Sequence, residues 1–129
     1  MIGYVTIGTN DLDRAGAFYD ALLSTFGAER FMENERLIAW RADETSPGIG
    51  VCTPFDGQPA TVGNGMMVAL PMGEPGQVKA IHAKALELGG TDEGAPGQRF
   101  GQFYGAYFRD PDGNKLAAFC ILPEGTTAD

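Results

Sequence analysis

Apolar and polar positions along the chain follow two rhythms, one with a period of two and one of three to four, and the pair occurs twice in the same order. An apolar, β-branched run over residues 2–8 has the length and composition of a strand. Asn10 and Asp11 then offer side-chain oxygens to the unpaired N–H groups at a helix start. From there Ala15, Phe18, Tyr19, Leu22, Leu23 and Phe26 recur at three- and four-residue spacing, which predicts an amphipathic helix with this stripe buried. Gly27 stands where such a helix ends in the left-handed conformation. Short strands are expected at 29–32, 37–41 and 48–53. Asn34 gives the turn between the first two, and residues 43–47 the loop before the third.

The order then starts again. Residues 66–71 read as a strand and about 74–88 as a helix, with Val78, Ile81, Ala85 and Leu88 on one face and Gly89-Gly90 as its stop. A turn-rich stretch, 91–101, leads to a strand at 104–109, the turn Asp110-Pro111-Asp112-Gly113, and a last strand at 115–122. A shift of 63 carries Tyr4-Val5-Thr6-Ile7 onto Met67-Val68-Ala69-Leu70, Phe18 onto Ile81 and Gly27 onto Gly90. A shift of 67 carries Trp40 onto Tyr107 and Cys52 onto Phe119. The pattern predicts an α+β fold of tandem βαβββ modules. One domain is expected over 1–129: a module to about residue 55, a linker at about 56–65, a second module at 66–122 and a loose tail at 123–129. Helices would cover the outer faces of two curved sheets, and the concave faces would form a cleft suited to a small molecule.

Composition narrows the partners. The chain has 129 residues, 43% of them hydrophobic, enough for one core and too few for two. Its net charge of −8 and nine scattered Lys and Arg argue against nucleic acid and against anionic membranes. No apolar run is long enough for a membrane span, and the first residues lack the basic and apolar regions of a signal peptide, so a cytoplasmic protein is expected. Cys52 and Cys120 make no disulfide framework and read as buried free thiols.

Two segments carry a resemblance. Residues 5–12 (Val-Thr-Ile-Gly-Thr-Asn-Asp-Leu) with Phe18-Tyr19, and residues 107–114 (Tyr-Phe-Arg-Asp-Pro-Asp-Gly-Asn), are similar to the opening strand and helix and to the late hairpin of the glyoxalase/bleomycin-resistance/dioxygenase family, also called vicinal oxygen chelate proteins. Residues 85–91 also fit, so the resemblance runs from residue 2 to about 121. These motifs report fold rather than chemistry. What the resemblance implies for chemistry is a divalent ion held by His or Glu from the first and last strands of each module. Those places fall on Tyr4, Met67, Ala117 and near Gly50, none a normal ligand. The single histidine, His82, matches Tyr19 of the first helix and reads as a helix-surface or core-edge residue. No metal and no other cofactor is therefore expected. A ligand supplied unusually, or in trans by a second subunit, is the route that stays open.

Strand alternation gives the expected lining of the cleft: Tyr4, Thr6, Trp40, Cys52, Met67, Phe103, Tyr107 and Phe119, with Arg99 positioned to meet an anionic substituent. Such a surface suits a flat or apolar ligand, and the acidic chain would tolerate cationic or neutral ones. The leading expectation is a metal-independent small-molecule-binding protein, similar in mode to bleomycin-resistance proteins. The alternative is a lyase or isomerase of glyoxalase type with an atypical or metal-free site, using Tyr4 or Tyr107 as an acid. A partner-binding dimer without a site is the third. The resemblance also implies a homodimer.

Overall fold

A computed structural model describes residues 1–128. The chain divides into two compact units, Met1–Gly63 and a second beginning at Asn64.

The first unit contains β1 (Tyr4–Gly8), α1 (Leu12–Leu23), a 3-10 turn (Ser24–Phe26), β2 (Glu29–Glu33), β3 (Leu37–Arg41) and β4 (Gly48–Cys52). Its sheet has the order β1-β4-β3-β2, with β1 parallel to β4 and the other pairs antiparallel. A parallel pair needs a long crossover, and α1 is part of it. The Asp11 carboxylate accepts from the Arg14 N–H at 3.0 Å to start the helix. Gly27, at φ 86°, ends the turn that follows it. The stripe predicted from spacing is the buried one: Ala15, Phe18, Tyr19, Leu22 and Leu23. Ile38, Trp40, Ile49 and Val51 form the buried side of the sheet. Gly16 lets the helix come close, since a methyl there would lie 2.9 Å from Ile38 Cδ1. The segment beyond β4 stays with this unit. Asn10 donates to the Ala60 carbonyl at 3.1 Å and accepts from its N–H at 2.7 Å, so a side-chain amide makes the pair of bonds a strand would make.

The second unit contains β5 (Val68–Pro71), α2 (Pro75–Glu87), β6 (Thr91–Gln98), β7 (Phe103–Arg109) and β8 (Lys115–Ile121), with sheet order β5-β8-β7-β6. Pro75 opens α2, where its missing N–H costs nothing. Gly89 follows the helix at φ 101°. Val78, Ile81 and Ala85 are buried, as are Tyr104, Ala106, Phe108, Leu116, Ala118 and Cys120 on alternate positions of β7 and β8. Burial, and then the charge of Glu74, push the Cys120 thiol above its ordinary pKa.

Two expectations change here. The stretch 91–101 is not all turn, because Thr91–Gln98 forms β6 at the edge of the sheet. It carries no apolar alternation to betray it. Register shifts at Asp92/Gly94 and Gly94/Gly97 place Pro96 in an irregular part of the ladder, where its missing donor is tolerated. The segment after β8, expected to be loose, is hydrogen-bonded. Gln98 and Gln102 both donate to the Thr126 carbonyl, and Gln98 accepts from the Ala128 N–H at 3.1 Å.

Candidate functional site

Each sheet has one face covered by its helix and one that its own unit leaves open. The open face of the first sheet carries Tyr4, Thr6 and Gly8 on β1, across from Gly48, Gly50 and Cys52 on β4. Tyr4 is 51% exposed, and Thr6 is exposed beside it. Two residues not expected there join them. A register shift between Arg30 and Met32 inserts Phe31 into β2, and Met32 pairs with Ala39 on this face. The Phe31 ring covers Gly48, which has no side chain to block it, and Arg41 lies over the same ring at 4.4 Å.

Trp40 is not on this face. It pairs with Ile49, turns toward α1, and is 1% exposed. Its ring centre is 5.5 Å from that of Tyr19, and its indole N–H donates to the Asp20 carboxylate at 2.8 Å. Arg30 binds that carboxylate through two nitrogens, at 2.9 and 2.7 Å. The Arg30 bonds, chiefly, hold the Asp20 carboxyl below its ordinary pKa against the opposing effect of burial, and the Trp40 bond adds to this. The misplacement has a simple origin. Gly50 and Ala117 are equivalent by the shift of 67, but their cross-strand partners are Ala39 and Tyr107, which differ by 68. The loop between β3 and β4 runs from 42 to 47, and that between β7 and β8 from 110 to 114, one residue shorter. One residue of offset moves a side chain to the other face of a sheet.

The open face of the second sheet gathers most of the expected lining. Tyr107 stands opposite Ala117, and Gly105 stands opposite Phe119. Phe103 leans over Gly105, where an added Cβ would be 2.6 Å from the ring. It stacks on Phe119 with ring centres 5.2 Å apart and planes 10° from parallel. Phe100 continues the stack on Phe103 at 4.9 Å and 8°. Arg99 lies over the Tyr107 ring at 5.4 Å, and Lys115 reaches the same ring at 5.5 Å. Met67, 42% exposed, precedes β5. Strand alternation puts Lys115 on the same face as Ala117 and Phe119, although it was not among the expected lining residues.

The late hairpin holds itself together. Asp110, 3% exposed, accepts from the Asp112 and Asn114 N–H groups at 3.0 and 2.9 Å and from Asn114 Nδ2 at 3.0 Å. Gly113 takes φ 93°.

The sequence profile of the glyoxalase/bleomycin resistance protein/dioxygenase superfamily matches residues 1–118. The chain belongs to that superfamily. Among solved structures it is similar to a glyoxalase/bleomycin resistance protein from Albidiferax ferrireducens T118, with 41% identity and a TM-score of 0.85 over 93% of this chain and 98% of that one. A glyoxalase/bleomycin resistance protein/dioxygenase family enzyme from Burkholderia phytofirmans PsJN shares the fold at 19% identity and TM-score 0.75, over 93% and 98% of the two chains. So does a lactoylglutathione lyase from Agrobacterium tumefaciens, at 20% identity and TM-score 0.70, over 93% and 92%. None of the curated proteins matches the chain.

The resemblance assigns metal-ligand places to Tyr4, Met67, Ala117 and the neighbourhood of Gly50, and the chemistry of those side chains can be compared with what a divalent ion takes. Gly50 sits beside Thr6, and Ala117 lies between Ala69 and Tyr107. With Tyr4 and Met67, the four positions offer one phenol, one thioether, a methyl group and a hydrogen. That donor set does not fit a divalent ion, which takes imidazole, carboxylate or thiolate. Among the described residues, no three His, Cys, Asp or Glu side chains are grouped to hold one. His82 is on the helix, largely buried, with Nε2 2.9 Å from the Asp92 carboxylate on β6. That bond and, more strongly, the Gly94 N–H hold the Asp92 carboxyl below its ordinary pKa. No helix among the described residues is long and apolar enough to cross a membrane.

Proposed function

We propose that this protein binds a small, flat, largely apolar molecule on its open sheet surface and does so without a metal ion. The observation that carries this reading is the parallel stack of Phe100, Phe103 and Phe119 on the open side of the second sheet. Stacked rings bury each other when they serve only as core, yet Phe100 is 69% exposed. A planar ligand laid on that stack removes exposed aromatic area from water and gains stacking energy of about 0.5–1.5 kcal/mol per ring contact. Tyr107, on the same face of the second sheet, supplies a hydroxyl for orientation. The protein works in this reading as a homodimer, as its family resemblance implies.

Two measurements test the proposal. Protein purified without a metal-affinity tag is assayed by elemental mass spectrometry before and after incubation with Ni, Zn, Mn and Fe(II). Substoichiometric metal throughout is expected. Near-stoichiometric metal overturns the metal-free reading and puts a glyoxalase-type lyase or isomerase in its place. A thermal-shift screen of bicyclic aromatic compounds is expected to raise the melting temperature, and a flat response from all of them overturns the ligand class. Size-exclusion chromatography with light scattering reads the oligomeric state.

A further inference from the structure

The aromatic surface of the second sheet has a charged end. Tyr107 is on β7, between β8 and β6 in the sheet. Lys115 reaches its ring from β8, and Arg99 folds back over β6 to reach it from the other side. Among the described residues neither cation is ion-paired, whereas the neighbouring Arg109 is bound to Glu93 at 2.5 Å. This protein has a net charge of −8, so two unpaired cations on one ring are not a by-product of a basic surface.

The position of Arg99 is built rather than accidental. Its guanidinium donates to the Ala95 carbonyl, on the strand it crosses. The strand is irregular there, with register shifts on both sides of Gly94. The space is kept by two residues without side chains. A Cβ on Gly97 would lie 3.1 Å from Arg99 Nη1, and one on Gly94 would lie 3.2 Å from Nη2 and 2.9 Å from the Tyr107 ring. Glycine weakens a strand, and a bulge breaks its ladder. Here both leave a berth for one guanidinium over one tyrosine.

Resting on the proposed binding function, we infer that the ligand is an anion: a planar aromatic carrying a carboxylate or similar acidic group. Its ring lies on the Phe103–Phe119 stack, and its anionic group meets Arg99 and Lys115 beside Tyr107. The two cations are already held against an aromatic face, which leaves their N–H groups as the donors for an oxyanion. Arg99 offers a planar fork, and Lys115 a point charge. The overall acidity of the chain then works as a filter, since long-range repulsion favours small, singly charged anions over polyanions.

Three naphthalene compounds of nearly equal shape test this: 1-naphthoate, 1-naphthamide and 1-naphthylmethylammonium. Calorimetric titration at low ionic strength is expected to show the carboxylate binding about tenfold tighter than the amide, the fold-change of one charge-assisted hydrogen bond. The ammonium compound is expected to bind weakest. Added salt narrows the gap between carboxylate and amide. Arg99→Gln and Lys115→Gln each reduce the preference, and the double variant removes it, with the carboxylate losing more affinity than the amide. Gly94→Ala, which crowds both the guanidinium and the ring, also loses the preference, with circular dichroism reporting that the fold is kept. Equal affinity for amide and carboxylate, or tightest binding of the ammonium compound, overturns the anion inference and leaves an aromatic site. Failure of all three compounds to bind overturns the binding function on which the inference rests.

Discussion

The Trp40 indole donates its N–H to the Asp20 carboxylate at 2.8 Å, tying the largest buried side chain to a half-exposed acid on α1. The same carboxylate receives Arg30 from β2, so one acid joins the helix to two strands. Asp20→Ala leaves a buried N–H without its partner and is expected to cost about 1–3 kcal/mol, read by urea denaturation. The sign with pH follows from the depressed carboxyl. Its folded pKa lies below its unfolded one, so its contribution is complete above the unfolded value of about 4 and is lost as pH falls through the folded value. Asp92 and Asp43 are depressed in the same direction and share that acid limb. Asp20→Ala should flatten part of the stability decline below pH 4, as measured by thermal melts across about pH 2.5–6.

Trp40 and Tyr107, once paired by a sequence shift, should respond in opposite ways. Trp40→Leu opens space in the core between α1 and β3, and is expected to cost about 3 kcal/mol with ligand affinity at the second sheet unchanged. Tyr107→Leu is expected to change stability by less, since that side chain is only partly covered, and to weaken 1-naphthoate binding severalfold. A loss of binding in the tryptophan variant at full occupancy of the native state would contradict the placement of Trp40 outside the site.

Gly105 keeps the Phe103 ring flat over β7. Gly105→Ala places a methyl 2.6 Å from that ring and should swing it out of the stack. Apart from the adjoining residues, the nearest backbone atom is the Ala118 carbonyl oxygen at 3.5 Å, an ordinary contact, so the fold should survive with a cost of about 1 kcal/mol. Near-ultraviolet circular dichroism should lose phenylalanine fine structure, and affinity for the amide and carboxylate probes should fall together.

Asp110 is a structural acid, and its substitution should show it. Asp110→Ala removes the acceptor for two backbone N–H groups and for the Asn114 amide, of which the two Asn114 bonds are buried. The expected cost is about 3 kcal/mol, with Asp110→Asn recovering part of it, both by urea denaturation. Ligand affinity measured on the remaining folded protein should be unchanged.

His82 and Asp92 fasten β6 to α2. Asp92→Ala removes that bond and the acceptor for the Gly94 N–H at 3.0 Å. Amides of residues 91–97 should exchange with deuterium faster, while those of β7 and β8 keep their protection. Because Gly94 borders the berth of Arg99, the same variant should bind 1-naphthoate more weakly and 1-naphthamide as before.

Where an element buries a continuous stripe, the sequence announces it: the α1 stripe from Ala15 to Leu23 and the alternation of β7 and β8 are plain in the order of residues. The order of the elements other than β6 and the glycines after each helix were read from such patterns, and the superfamily from the two motif segments at 5–12 and 107–114. What escaped reading lay in places governed by counting or by absence. Trp40 was misassigned because one extra loop residue changes the register between otherwise matching hairpins. Phe31 and Met32 were missed because a bulge puts neighbours out of step with alternation. Strand β6, with glycines, a proline and acids at a sheet edge, has almost nothing apolar to signal it. The reach of Arg99 and Lys115 to one ring depends on side-chain paths across neighbouring strands, which no spacing rule contains. Tyr107 and Phe103 were legible as neighbours because alternation places them on one face of one strand, and Phe119 joined them through Ala117, a position the resemblance marks.

The paired bonds between Asn10 and Ala60 have a use in protein engineering. They commit the segment after β4 to the first half of the molecule, so the natural cut for a split reporter lies after Gly63 rather than at the proline- and glycine-rich stretch before it. Between them, fragments 1–63 and 64–129 would retain every hydrogen bond described above, each with one complete sheet, one α-helix and no severed strand. A cut near Gly57 would instead strip the first fragment of the backbone that Asn10 grips. The side-chain amide of Asn10 thus marks, to within a few residues, where the gene for this protein can be divided.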